Sequence, residues 1–137
     1  MLTEQQLLDA PEENYMNDEQ LAFFKNLLES QIAEIESNVE SAHSRLKEQQ
    51  HAADELDKAA VAEGIRTRIR FLDRQTKLLP KMREALRRIE ENEFGFCEVT
   101  GEPIGIKRLL ARPTATLCAE EKTRQEEREK TFRKSRA

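Results

Sequence analysis

Tryptophan is absent, tyrosine occurs once, and aromatic residues make up only 5% of 137 positions. So little bulky apolar surface excludes one large globule and suits a long helical or coiled-coil chain with a small core. Four Gly and four Pro exclude an all-β fold, which needs many tight turns. No apolar run reaches membrane length and no signal-peptide core is present, so a cytoplasmic location without a membrane partner is expected. There are two cysteines, Cys97 and Cys118. In a reducing compartment they are expected as partly buried thiols rather than a disulfide. The two histidines, His43 and His51, lack catalytic partners in sequence. No phosphate loop or nucleophile elbow occurs. An ordinary enzyme is therefore not expected, and no catalytic residue is assigned.

Charge is what the chain has in quantity: 36% of residues are Asp, Glu, Lys or Arg, with a net charge of -4. That balance disfavours direct DNA binding, which needs a basic face. Residues 1–20 carry six acids and no base, and residues 21–58 eight acids against four bases. Residues 66–88 reverse this, with nine bases against two acids. An acidic arm followed by a basic one suggests antiparallel helices with attractive flanks. The alternative is two solvated faces whose exposed pairs contribute little.

Asn17-Asp-Glu-Gln20 reads as a helix start, with Asn17 as N-cap. Apolar residues follow at Leu21, Phe24, Leu28, Ile32, Ile35, Val39, Ala42 and Leu46. From Leu28 the steps alternate four and three, which is heptad spacing. The stripe lapses over residues 47–57. A second stripe takes Ile65, Ile69, Leu72, Thr76, Leu79, Met82, Leu86 and Ile89. Pro80 interrupts it, but the phase continues, so one kinked helix is expected. The 18 residues from Leu28 to Leu46 span roughly 27 Å. The fold class is thus mainly α: a long antiparallel coiled-coil hairpin with a small globular domain. Residues 1–16 form an acidic leader, weakly docked near the globular domain except where Tyr15 and Met16 pack. Residues 17–92 form the hairpin, with its tip near 50–60. Residues 93–137 form the globular domain, where Phe94, Phe96, Val99, Ile104, Ile106, Leu109, Leu110 and Leu117 cluster before a polar C-terminal helix. That helix is expected to pack through a narrow apolar contact.

Three constellations could carry chemistry. Cys97-x-x-Thr100 and Cys118-x-x-Glu121 have the spacing of a four-cysteine zinc site with each second cysteine replaced. A metal site of Cys97, Cys118, Glu121 and a water is one reading. The favoured one is a metal-free knuckle, with Gly101 at the turn, Thr100 bonded to backbone, and packing in place of zinc. Next, Asp54-Glu-Leu-Asp57-Lys-Ala59 sets three carboxylates at the hairpin tip. Locally, Asp57 caps a helix and Asp54 serves the turn. On a slender probe, such acids could also reach a channel-bound Mg²⁺ or its ligands. Finally, Arg74, Lys77, Lys81, Arg112 and Lys122 come from three segments that could meet at the hairpin base. They read as solvated surface or as a polyphosphate patch.

From about Glu13 onward the sequence resembles the DksA/TraR family of bacterial transcription factors. The carriers are Glu-Asn-Tyr-Met-Asn17, Asp54-x-x-Asp57-x-Ala59, Glu-Phe-Gly-Phe-Cys97 and Ile-Gly-Ile-Lys-Arg-Leu-Leu-Ala-Arg112-Pro-Thr. Thr100 and Glu121 make it similar to the cysteine-poor, zinc-independent members, so no metal or tightly bound cofactor is expected. The resemblance implies a monomer that binds RNA polymerase and inserts its tip into the secondary channel. It also implies destabilised open complexes, with repression of rRNA promoters and activation of some amino-acid promoters. The effector ppGpp would act at the polymerase interface in the stringent response. By position, Asp54, Asp57 and Ala59 are the tip and Arg74 docks on the polymerase. Leu78, Lys81, Arg112 and Lys122 match alarmone-contacting positions, with Pro80 a departure beside Lys81. The competing classes are a Gre-type transcript-cleavage factor, whose tip acids would chelate a second Mg²⁺, and an inert coiled-coil scaffold.

Overall fold

The structure, a computed structural model, describes residues 1–52 and 58–136. Among these the regular elements are all helical: α1 (Glu4–Asp9), α2 (Asp18–Ala52), α3 (Lys58–Glu90), α4 (Ile106–Ala111) and α5 (Ala119–Arg136), with a short 3-10 turn at Glu12–Asn14. Two compact units result. One is Asn26–Glu84; the other joins Met1–Lys25 to Ala85–Ala137.

In the first unit, α2 and α3 pair through their stripes. Leu28, Ile35 and Ala42 are buried on α2, as are Leu72 and Met82 on α3. Arg83 Nη2 meets Glu36 Oε1 at 2.9 Å, and Arg68 Nε donates to Gln49 Oε1 at 3.0 Å. Position 36 pairs with 83 and 49 with 68, so the helices are antiparallel, as the heptads predict.

The phase of α3 departs from expectation. Ile69 is 48% exposed, and Thr76 is exposed with its hydroxyl donating to the Leu72 carbonyl at 2.8 Å. Arg68 and Gln75 take the inner positions and are half-buried. The reason is the repeat itself. Inward positions 65, 68, 72, 75, 79 and 82 alternate three and four, and position 69 lies about 100° round from 68. On α2 the stripe also continues past Leu46 to half-buried Gln49. Pro80 is exposed inside α3, which runs through it unbroken. The tip residues Asp54 and Asp57 lie outside the described residues, and Ala59 falls in the first turn of α3.

The second unit draws on both ends of the chain. The leader is not weakly docked. Thr3 and Gln6 form a reciprocal capping box on α1, Leu7 is buried, and α1 packs on α4 within this unit. Asn17 Oδ1 accepts from the Gln20 N–H at 2.9 Å to start α2, while the Gln20 side chain accepts from the Met16 N–H at 3.0 Å. Phe24 packs on Phe94 with ring centroids 5.3 Å apart. At the end of α3, Asn92 adopts φ 60°. The Glu93 N–H reaches the Arg88 carbonyl at 2.8 Å and the Asn92 N–H the Ile89 carbonyl at 3.3 Å. That is a Schellman stop with Asn in the left-handed place. Val99, expected in the apolar cluster, is 62% exposed on the knuckle. Among the described residues of α5, the one that is buried is Glu121.

Candidate functional site

Residues 96–103 form a tight knuckle. Phe96 and Pro103 make an isolated bridge. The Cys97 N–H donates to the Glu102 carbonyl at 2.8 Å, and the Gly101 N–H returns to the Cys97 carbonyl at 2.9 Å. Gly101 sits at φ +75°, a left-handed turn that favours glycine. Thr100 Oγ1 accepts from the Glu102 N–H at 3.3 Å. Cys97 and Cys118 are buried free thiols.

Burial pushes the Cys97 thiol up, but hydrogen bonds from the Thr100 hydroxyl and the Cys118, Thr100 and Val99 backbones outweigh it and bring it down to about 6. A lowered value means the folded chain sheds this proton before the unfolded chain does. The resulting stability is present above pH 9 and is lost as pH falls through about 6. The 240 nm thiolate absorbance should therefore titrate with a midpoint near 6. Thr100→Val should move that midpoint upward, and an unmoved midpoint would remove the hydroxyl as a cause.

Glu121 does not face a metal-like partner set. Its carboxylate takes Arg128 Nη2 at 2.9 Å and Arg124 Nη1 at 3.1 Å. The glutamate side chain is 6% exposed while the two arginines remain 71% and 63% exposed. A carboxylate at the zinc-ligand position is thus neutralised from the solvent side.

The basic positions fall in both units. Arg74, Leu78 and Lys81 recur at i, i+4 and i+7 on α3 and so share one helix face. Arg74 and Lys81 are exposed and Leu78 half-buried. Lys77 is paired with Asp73 at 2.9 Å. In the other unit, Arg112 is exposed just after α4 and Lys122 is half-buried in the first turn of α5.

Two supporting residues escaped the sequence reading. Arg88 is buried, and its Nη2 donates to the Phe96 carbonyl at 2.9 Å and the Glu93 carbonyl at 3.1 Å. It fastens the end of α3 to the knuckle, yet by sequence it was one base among nine. Tyr15 was expected to pack, but its polar role was not. Its hydroxyl donates to the Gly95 carbonyl at 2.5 Å and accepts from the Gly105 N–H at 2.9 Å. Burial pushes that hydroxyl up, against the pull of the Gly105 and Ile104 backbones, and keeps it a donor.

Comparison with known proteins places this arrangement. The family model described as DnaK suppressor protein DksA, N-terminal domain, matches residues 20–89. The model described as prokaryotic dksA/traR C4-type zinc finger matches residues 92–127. The chain belongs to the DksA/TraR family. The RNA polymerase-binding transcription factor DksA of Caulobacter vibrioides is 44% identical over 124 residues, 89% of this chain and 87% of the relative. The Escherichia coli K12 protein of that name is 39% identical over 123 residues, 89% of this chain and 82% of the relative. Transcription factor DksA2 from Pseudomonas aeruginosa has a solved structure with TM-score 0.85 and 44% identity, covering 93% of this chain and 99% of that one. These DksA relatives are transcription factors, and the chain is a regulator rather than an enzyme.

The C4-type model implies zinc, and the donor set here does not fit it. Two thiols remain. The Thr100 hydroxyl is engaged by the Glu102 N–H, and the Glu121 carboxylate by two arginines. Among the described residues no group of three or more His, Cys, Asp or Glu could hold a metal ion. Nor, among them, is any helix long and apolar enough to cross a membrane.

Proposed function

We propose that this protein regulates transcription by binding RNA polymerase directly, as a single copy and without structural zinc. Its helical pair enters the secondary channel and carries Asp54, Asp57 and Ala59 toward the active site. There it destabilises open complexes, repressing rRNA promoters and activating some amino-acid promoters. The effector ppGpp strengthens this by binding where Leu78, Lys81, Arg112 and Lys122 meet the polymerase. The observation that carries the reading is identity of 39–44% to RNA polymerase-binding transcription factors over 89% of the chain. The heptad pair supplies the physical means, since a slender probe reaches where a globule cannot.

The test is in vitro transcription from an rRNA promoter with purified polymerase, with and without ppGpp. The wild-type chain should repress, and more so with ppGpp. Asp57→Asn should lose most repression, roughly tenfold or more, while binding polymerase nearly as well, because the tip acts after docking. Lys81→Glu or Arg112→Glu should remove the ppGpp increment and spare the basal effect. An inert scaffold predicts no change in any variant. Stimulated shortening of RNA in backtracked complexes would instead mark a Gre-type cleavage factor and sink the proposal.

A further inference from the structure

The helical pair carries an open groove of about 660 Å³, lined by Arg45 of α2 and by Arg68 and Arg74 of α3. Phe71 adds an apolar wall, and Glu63 is the lining carboxylate. Arg66 already pairs with Glu63 at 2.8 Å, so the groove is cationic in balance.

Arg68 is held in place. It occupies an inward stripe position where an aliphatic side chain would add apolar burial. Its Nε donates to Gln49 Oε1 at 3.0 Å. That bond leaves the two Nη groups uncommitted among the described residues. Gln49 in turn has room because residue 64 is glycine. A Cβ there would lie 3.1 Å from the Gln49 amide nitrogen. Glycine inside a helix is unfavourable relative to alanine, and Gly64 serves no turn. Two locally unfavourable choices, Gly64 and Arg68, thus converge on one outcome: a pre-set guanidinium in an open cationic groove.

We propose that this groove docks an acidic segment of the RNA polymerase, with Arg68 gripping a carboxylate and Arg45 and Arg74 flanking it. This rests on the polymerase-binding reading above. It extends the docking role expected of Arg74 to Arg45 and Arg68, with Gln49 and Gly64 as positioning residues. Carboxylate is the complementary chemistry, because the guanidinium fork pairs with it in bidentate fashion. An open groove between two helices suits a protein segment better than a closed pocket for a small molecule.

The test is titration of the full-length chain with core polymerase at two salt concentrations, alongside thermal melting of each variant. Arg45→Glu and Arg68→Glu should raise Kd tenfold or more and flatten its salt dependence. Lys47→Glu, which makes the same charge change off the groove, should alter Kd less than threefold. Gly64→Ala should weaken binding several-fold with melting unchanged or raised. That split separates docking from a role of the Arg68–Gln49 pair in helix register, which would lower melting and leave Kd alone. Wild-type Kd for Arg68→Glu, or an equal loss for Lys47→Glu, overturns the proposal alone. A wild-type chain that fails to bind polymerase overturns the function reading with it. Saturable GTP binding without polymerase, lost in Arg68→Glu, would reassign the groove to a small polyanion and overturn the acidic-segment proposal.

Discussion

Changing Thr100 and Glu121 together to cysteine should convert the chain from one without tight zinc into one holding a single zinc ion. The geometry is already near. The Cys118 backbone lies within hydrogen-bond reach of the Cys97 thiol, and both thiols are buried. Thr100 sits on the knuckle turn and Glu121 in the first turn of α5, the places from which the absent thiolates would reach. Losing Glu121 removes the carboxylate that Arg124 and Arg128 share. Both are mostly exposed, so that loss is small. The gain is large, since a four-thiolate site is worth roughly 10–16 kcal/mol in small zinc domains. Metal analysis of purified protein after chelator challenge reads the result. Stoichiometric zinc that resists the chelator is expected in the double variant and none in the wild type. Tight zinc in the wild type would overturn the metal-free reading. A double variant that stays empty would mean that the knuckle has drifted from metal-binding geometry.

Gly95→Val should come close to abolishing folding of the unit built from the two chain ends. Gly95 is buried at φ +91°, and a Cβ there would lie 2.7 Å from both Cγ and Sδ of Met16 and 3.3 Å from the Tyr15 hydroxyl. The left-handed backbone strains any branched side chain, and the contact forces Met16 outward. It also endangers the Tyr15 bond to the Gly95 carbonyl, whose loss leaves buried polar groups unmet. Together these effects amount to roughly 3–6 kcal/mol, against a total stability of about 5–15 kcal/mol for a typical domain. Thermal melting followed by circular dichroism should show a fall of many degrees or no cooperative transition. A variant that melts like the wild type would show that this close approach does not pin the leader.

The parts of the fold that follow a period were legible in the sequence. Leu28, Ile35 and Ala42 recur every seven residues, the heptad step that keeps one stripe of a helix against a partner. Ile69 misled because an apolar identity was allowed to choose between two adjacent phases. The geometry of Leu72 and Met82 chose Arg68 instead. The first helix was missed although Thr3-x-x-Gln6 is a capping-box signature, because clustered acids and Pro11 suggested a loose strand of chain. Exposed Val99 was misplaced because the knuckle has no period to orient it. The paired spacings Cys97-x-x-Thr100 and Cys118-x-x-Glu121 were legible, and the zinc-finger family model matches the segment that holds them. The fate of the Glu121 carboxylate was not legible, since its partners Arg124 and Arg128 looked like two more charges on a polar helix. Arg45 and Arg68 of the groove were hidden for a different reason. Their meaning depends on Gln49 and Gly64 from two helices, and no local pattern joins those residues.

The pairing of Tyr15 with Gly95 and Gly105, across 80 and 90 residues, bears on how the protein is made. A ribosome adding 5–20 residues per second needs about 4–16 s to travel from Tyr15 to Gly95. Throughout that interval Leu7, Phe24 and Tyr15 have no completed core to enter, while α2 and then α3 can already form and pair. The order of synthesis therefore favours the helical pair first and the globular end last. A nascent chain stalled before the knuckle emerges would hold the probe without its anchor. Its exposed N-terminal segment would then be the part that chaperones and proteases meet.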